Sequence, residues 1–93
     1  MAALSKILIH EKLKGFAEWS HAGKALHRRY TFKSFVDAIA FVNRIAEAAE
    51  KAGHHPDITI NYNVVGIALS THSEGGVTDK DFELAKAIDS LAG

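Results

Sequence analysis

Cysteine is absent from this chain of 93 residues. Its absence excludes disulfides, thiolate nucleophiles and cysteine-ligated metal centres, and it agrees with a reducing compartment. Proline occurs once, at Pro56, and aromatic residues make up only 9%. Neither sign of charge dominates, since eleven Lys and Arg balance eleven Asp and Glu. The nearest thing to a basic patch is Lys24, His27, Arg28 and Arg29, which has no counterpart elsewhere. Backbone-phosphate binding needs a concentrated positive face, so direct nucleic-acid binding is not expected as the main role. No apolar run is long enough to cross a membrane. Residues 1–9 carry one positive charge and lead to no small-residue cleavage site, so no signal peptide is expected and the expected location is cytoplasmic. Repeats, low-complexity tracts and linkers are also missing.

What remains is a chain with 47% hydrophobic residues, too apolar to stay disordered. Its length predicts one domain spanning residues 1–93. A domain this small buries about 60–65% of the surface its unfolded chain exposes, so self-association would add useful buried area.

Local signals place the elements. Ser5 predicts the cap of a short helix over residues 6–14, with Gly15 as its terminator. Gly23 marks a turn between extended segments at residues 17–21 and 24–32. Leu26, Arg28, Tyr30 and Phe32 then share one face by alternation. An arginine on that face either snorkels at a sheet edge or lines a polar cleft. Ser34, with Asp37 three residues on, predicts the start of an amphipathic helix closed by Gly53. Its stripe runs Phe35, Ile39, Val42, Ala46 and Ala49, widened by Ala38, Phe41 and Ile45. Beyond Pro56 the period changes to two: Ile58, Ile60 and Tyr62 alternate, then Val65, Ile67 and Leu69. Asn61 and Asn63 lend turn character, and the pattern is a hairpin. A loop over residues 73–76 follows. Thr78 and Asp81 form a capping-box pattern, and Phe82, Ala85, Ile88 and Leu91 define a closing helix. The order is α-β-β-α-β-β-α. Strands grouped in antiparallel pairs indicate an α+β fold, a sheet with helices packed on one face.

Three of the six histidines fall at junctions between these elements. His54 and His55 follow the long helix, and His72 follows the hairpin. Loops held by rigid elements can converge on one cleft. Pro56 favours an extended backbone at His55, so the adjacent side chains point to opposite sides. Such a pair chelates one ion badly but can contact a ligand from two directions. Histidine exchanges protons near neutral pH, as an acid–base elimination of water requires. Other readings stand beside this one. Helix-terminal histidines also satisfy the last carbonyls and the helix dipole. Asp81 at the third helical position also serves as a cap, and Glu50 in a last helical turn is also simply solvated. A three-histidine metal site stays formally open, although no His-x-x-x-His or His-Glu-x-x-His element is present. Gly75-Gly76 lacks the lysine and spacing of a phosphate loop. Ser70, Thr71 and Ser73 beside His72 do not by adjacency make a nucleophile–base pair.

Read in order, Glu50-Lys51-Ala52-Gly53-His54-His55-Pro56-Asp57, Tyr62, Leu69-Ser70-Thr71-His72 and the stretch from Gly76-Val77-Thr78 through Asp81 to Leu84-Ala85 resemble the pterin-4a-carbinolamine dehydratase family. Trp19, Leu26, Arg28, Tyr30, Phe32 and Phe35 look like further family positions, so the resemblance covers residues 19–88. It implies a four-stranded antiparallel sheet with helices on one face, assembling as a homodimer or homotetramer. It implies dehydration of 4a-hydroxytetrahydropterin to quinonoid dihydropterin, which recycles the tetrahydrobiopterin cofactor of aromatic amino acid hydroxylases. His54, His55 and His72 match the family's active-site histidines, with His54 and His72 moving protons and His55 holding the pterin. Asp81 matches its site aspartate, and Glu50 and Trp19 match cleft positions. No metal or organic cofactor is expected, because the pterin is the substrate. The resemblance also implies two alternatives: a protein-binding role as a dimerisation cofactor of a transcription factor, as in some animal relatives, and action on another pterin, as in molybdopterin metabolism.

Overall fold

Each helix begins where the sequence supplies a hydroxyl. Ser5 Oγ accepts the Leu8 N–H at 3.2 Å and opens α1 (Lys6–Leu13). Ser34 Oγ accepts the Asp37 N–H at 3.1 Å and opens α2 (Phe35–Ala52). Thr78 opens α3 (Asp79–Leu91) with a complete capping box. A cap of this kind stabilises a helix by about 1 kcal/mol, by giving an acceptor to an N–H that lacks one inside the helix. The structure is a computed structural model that describes residues 2–92. Met1 and Gly93, the outermost positions of the expected domain, lie outside the described residues.

The strands are β1 (Ser20–Ala22), β2 (Ala25–Thr31), β3 (Asp57–Asn61) and β4 (Val64–Leu69). They form one antiparallel sheet in the order β1-β2-β4-β3, and the fold is the expected α+β arrangement with helices on one face. The sheet's core face carries Leu26, Tyr30, Val65, Ile67 and Leu69, all buried. These pack with Phe41 and Ile45 of α2 and Phe82, Ala85 and Ile88 of α3. Phe41 contacts Tyr30 and Phe32 at ring-centroid distances of 4.8 and 5.0 Å. No helix among the described residues is long and apolar enough to cross a membrane.

The structure differs from the sequence expectation in three places. The first extended segment is shorter than residues 17–21: the Trp19 N–H donates to the Phe16 carbonyl at 2.9 Å, which makes a turn, and pairing starts only at Ser20. On α2 the buried stripe is Ala38, Phe41, Ile45 and Ala49, whereas Phe35 is half exposed and Ala46 is exposed. Both stripes are apolar, and packing against the sheet selects between them. At the hairpin Tyr62 does not continue the strand alternation but sits in the turn at φ 54°, beside Asn63. Asn63 ties β2 to the turn: its side-chain amide donates to the Phe32 carbonyl at 2.7 Å, and its own carbonyl accepts the Phe32 N–H at 2.8 Å.

Candidate functional site

The segment carrying two of the histidines is positioned by the end of α2. Gly53 adopts φ 63° and ψ 29°, a conformation in which a side chain is strained. Its N–H bonds the Ala49 and Glu50 carbonyls, and the His54 N–H also reaches the Ala49 carbonyl, at 3.2 Å. The histidine backbone thus satisfies a helix end, while both imidazoles remain available for other partners.

His54 turns inward, with a side chain 13% exposed, and its Nε2 lies 2.5 Å from Asp81 Oδ1. Asp81 is fully buried in the first turn of α3. Its second oxygen accepts the Thr78 N–H and the Thr71 hydroxyl, each at 2.9 Å. Hence the carboxylate caps its own helix with one oxygen and holds a histidine with the other. A buried carboxylate left with neither partner would be costly, so the network is satisfied on both sides.

His55 turns outward. Its Nε2 is 2.9 Å from Glu50 Oε1, with side chains 64% and 79% exposed. His72 begins a single 3₁₀ turn (His72–Glu74) directly after Thr71. Its side chain is exposed and makes no hydrogen bond among the described residues. This loop is closed by Thr71 and Gly76: Thr71 N–H donates to the Gly76 carbonyl at 2.9 Å, and Gly75 takes φ 73°.

The structure therefore joins His54, Asp81, Thr71 and Thr78 in one hydrogen-bonded cluster, with His55 and His72 as chain neighbours of its members. Glu50 enters only through His55. Trp19 is not part of it. Its indole N–H donates to both oxygens of Asp89 at 3.0 Å. Asp89 lies eight positions after Asp81 on α3, a rise of about 12 Å. Arg28 donates to Asp89 at 2.7 Å and Tyr30 donates its hydroxyl to the same oxygen. The guanidinium also lies 4.1 Å from the Tyr30 ring centroid. This explains the arginine on the core face of β2. Burial pushes the Tyr30 phenol well above its ordinary range, and the hydrogen bond and charge of Asp89 push it the same way.

His54, Lys80 and Glu83 line a cleft of about 260 Å³ between α2 and α3, together with Ala48, Ala52, Leu84 and Ala87. A larger hollow of about 700 Å³ lies over the opposite sheet face, among Ser20, His27, Arg29, Thr59 and Gly66. It contains none of the expected site residues, whereas the smaller cleft is lined by one of them, His54. Among the described residues no three His, Asp or Glu side chains converge in a metal-holding group. Sequence reasoning named Thr71 and Thr78 without a site role. The Thr78–Asp81 contact, made by the Thr78 N–H, follows from the capping-box spacing, whereas a Thr71 hydroxyl bonded to an acid 10 positions away leaves no periodic signal that would have found it.

A family model described as pterin 4 alpha carbinolamine dehydratase matches residues 2–91. A protein of Thermomicrobium roseum, assigned by name to pterin-4-alpha-carbinolamine dehydratase, is 50% identical over 92 residues, covering 99% of both chains. A protein of Mycobacteroides abscessus assigned the same name is 50% identical over 93 residues, covering 100% of this chain and 99% of its own. Among solved structures, a transcriptional coactivator/pterin dehydratase from Brucella melitensis superposes with a TM-score of 0.93 at 35% identity, covering 98% of this chain and 99% of that one. A pterin dehydratase-like protein identified as a RuBisCO assembly factor in the alpha-carboxysome superposes with a TM-score of 0.68 at 26% identity, covering 81% and 87%.

Proposed function

The chain belongs to the pterin 4 alpha carbinolamine dehydratase family, and we propose that it is a hydro-lyase that removes water from 4a-hydroxytetrahydropterin. The observation that carries this reading is the buried pairing of His54 with Asp81 at the end of α2. Dehydration forms a C4a=N5 double bond. The 4a-oxygen must gain a proton and leave as water while N5 loses one. Two imidazoles in opposite protonation states supply both transfers. His54, held by Asp81, and His72, free at the loop, take these roles, and His55 steadies the pterin with Glu50 behind it. The product is the quinonoid dihydropterin of tetrahydrobiopterin recycling.

Single-turnover stopped-flow measurement with chemically generated 4a-carbinolamine tests the proposal. His54→Ala and His72→Ala each lower the rate by about 10²-fold, the usual order for losing an acid–base group, whereas His10→Ala on exposed α1 does not. Wild-type rates in both motif variants, with folding verified by circular dichroism, would remove the catalytic assignment. A protein-binding role is the second reading. It is favoured by the coactivator and assembly-factor descriptions of the two structural neighbours, and by the exposed Phe35 and Val36 on α2. Under that reading the histidine variants leave partner binding intact.

A further inference from the structure

Asp81 is held from one side by two threonines that the dehydration scheme does not use. Thr71 is 6% exposed, and Thr78 and Asp81 are fully buried. The hydroxyls lie 2.8 Å apart, and Thr71 Oγ1 is 2.9 Å from Asp81 Oδ2. Each hydroxyl has one proton to give. Thr71 gives its proton to the carboxylate, so the contact between the threonines is made by the proton of Thr78. Thr78 Oγ1 in turn accepts the Lys80 N–H at 3.3 Å. The chain therefore has one direction, running from the first turn of α3 through two hydroxyls into Asp81 Oδ2. Thr71 is itself fixed by its backbone, because its carbonyl accepts the Glu74 N–H at 2.9 Å and its N–H donates to Gly76.

The terminal torsion of an aspartate is soft, so its rotamer alone does not aim a given oxygen. Two donors on Oδ2, the Thr71 hydroxyl and the Thr78 N–H, remove that freedom and leave Oδ1 facing His54. A neutral imidazole carries one N–H and one lone pair. Only the form protonated on Nε2 can bond an oxygen that accepts.

We propose that Thr71 is a positioning residue for the dehydration: by pinning Asp81 it holds His54 in the tautomer protonated on Nε2 and leaves Nδ1 as the proton-exchanging atom. This rests on the dehydratase reading for its catalytic consequence, but the tautomer itself does not depend on that reading. His55 is the internal contrast. It makes the same Nε2 contact, to Glu50, but in solvent, where water competes and no second pair of donors aims the carboxylate.

Long-range ¹H–¹⁵N correlation spectra of histidine-labelled protein, read beside steady-state kinetics, test the assignment. In the wild type His54 is protonated on Nε2, and His55 shows a mixture of tautomers. Thr71→Val removes the hydroxyl while keeping the shape. It brings the second tautomer of His54 into the spectrum and lowers kcat by about tenfold with KM nearly unchanged, the order expected for one hydrogen bond to a charged group. Thr71→Ser restores both. The proposal is overturned if wild-type His54 is protonated on Nδ1, a result that needs no variant. It is equally overturned if Thr71→Val keeps the wild-type tautomer, or raises KM alone. Should Thr71→Val not fold, Thr78→Val takes its place. That change deletes the donor to Thr71 yet keeps the N–H on Asp81, so a smaller loosening of the tautomer is expected, and none would overturn the proposal. A wild type without dehydratase activity sinks the functional reading alone, because the spectra still decide what Thr71 does.

Discussion

Asp81 binds the imidazole of His54 through one carboxylate oxygen and caps its own helix through the other, so the helix start and the histidine stand in a fixed relation. His55 and Glu50 make the same kind of pair one residue along the chain, at the surface. The two pairs have comparable geometry and very different surroundings.

Their energetics should differ accordingly. Asp81→Ala strands the Thr71 hydroxyl, the Thr78 N–H and the His54 ring inside the protein, and a buried donor left without an acceptor costs about 1–3 kcal/mol. Glu50→Ala breaks a solvated pair and should cost less than about 1 kcal/mol. Urea denaturation of both variants checks the ordering. Equal losses would mean that the Asp81 network contributes nothing to stability beyond an exposed contact.

Tyr30 sets an alkaline limit. Its folded phenol sits above the ordinary value because it is buried and because Asp89 accepts its proton in a hydrogen bond. Below about pH 10 the phenol is protonated whether or not the chain is folded, and its contribution is fully present. Above that, the unfolded chain releases the proton while the folded one keeps it, so stability falls as pH rises toward the folded value. The difference in unfolding free energy between wild type and Tyr30→Phe, followed from about pH 9 to about pH 11, should narrow or change sign. A difference that stays constant over that range would show that the phenol is not perturbed.

Dehydration should survive chelation. His54 and His55 each commit Nε2 to a carboxylate, and the described residues contain no three-ligand group. Protein dialysed against a strong chelator is expected to keep its full stopped-flow rate. Activity lost on chelation and restored by stoichiometric zinc would replace the proton-transfer scheme with a metal one.

Assembly is expected through β3. That strand is an outer strand of the sheet, with Ile60 exposed on it and Tyr62 exposed in the turn that follows, and an unpaired edge invites a second copy. Light scattering at micromolar concentration should give a multiple of 10.1 kDa. Ile60→Lys should shift the population toward monomer. A wild type that is monomeric throughout would refute edge pairing.

The elements were legible because their signals are local. Ser5, Ser34 and Thr78 each cap the helix they precede, and Gly53 ends α2 in the conformation a glycine favours. Alternation along residues 58–69 predicted the hairpin, and the junction positions of His54, His55 and His72 were visible in the spacing alone. The turn falls beside the asparagines as expected, at Tyr62 and Asn63, but Tyr62 leaves the strand alternation for the left-handed position and Asn63 also donates to the Phe32 carbonyl beyond the end of β2.

By itself, then, the sequence determined the order of elements, their caps and the residues available for chemistry, because each depends on neighbours within a turn or two. Tertiary structure alone decided which apolar stripe of α2 meets the sheet, since two adjacent stripes are equally apolar and only packing distinguishes them. It also decided that Arg28 and Trp19 serve Asp89, across 61 and 70 positions, and that the capping carboxylate of α3 reaches His54 across 27. Hydrogen bonds over such separations follow from how the helices land on the sheet, and no local periodicity encodes them.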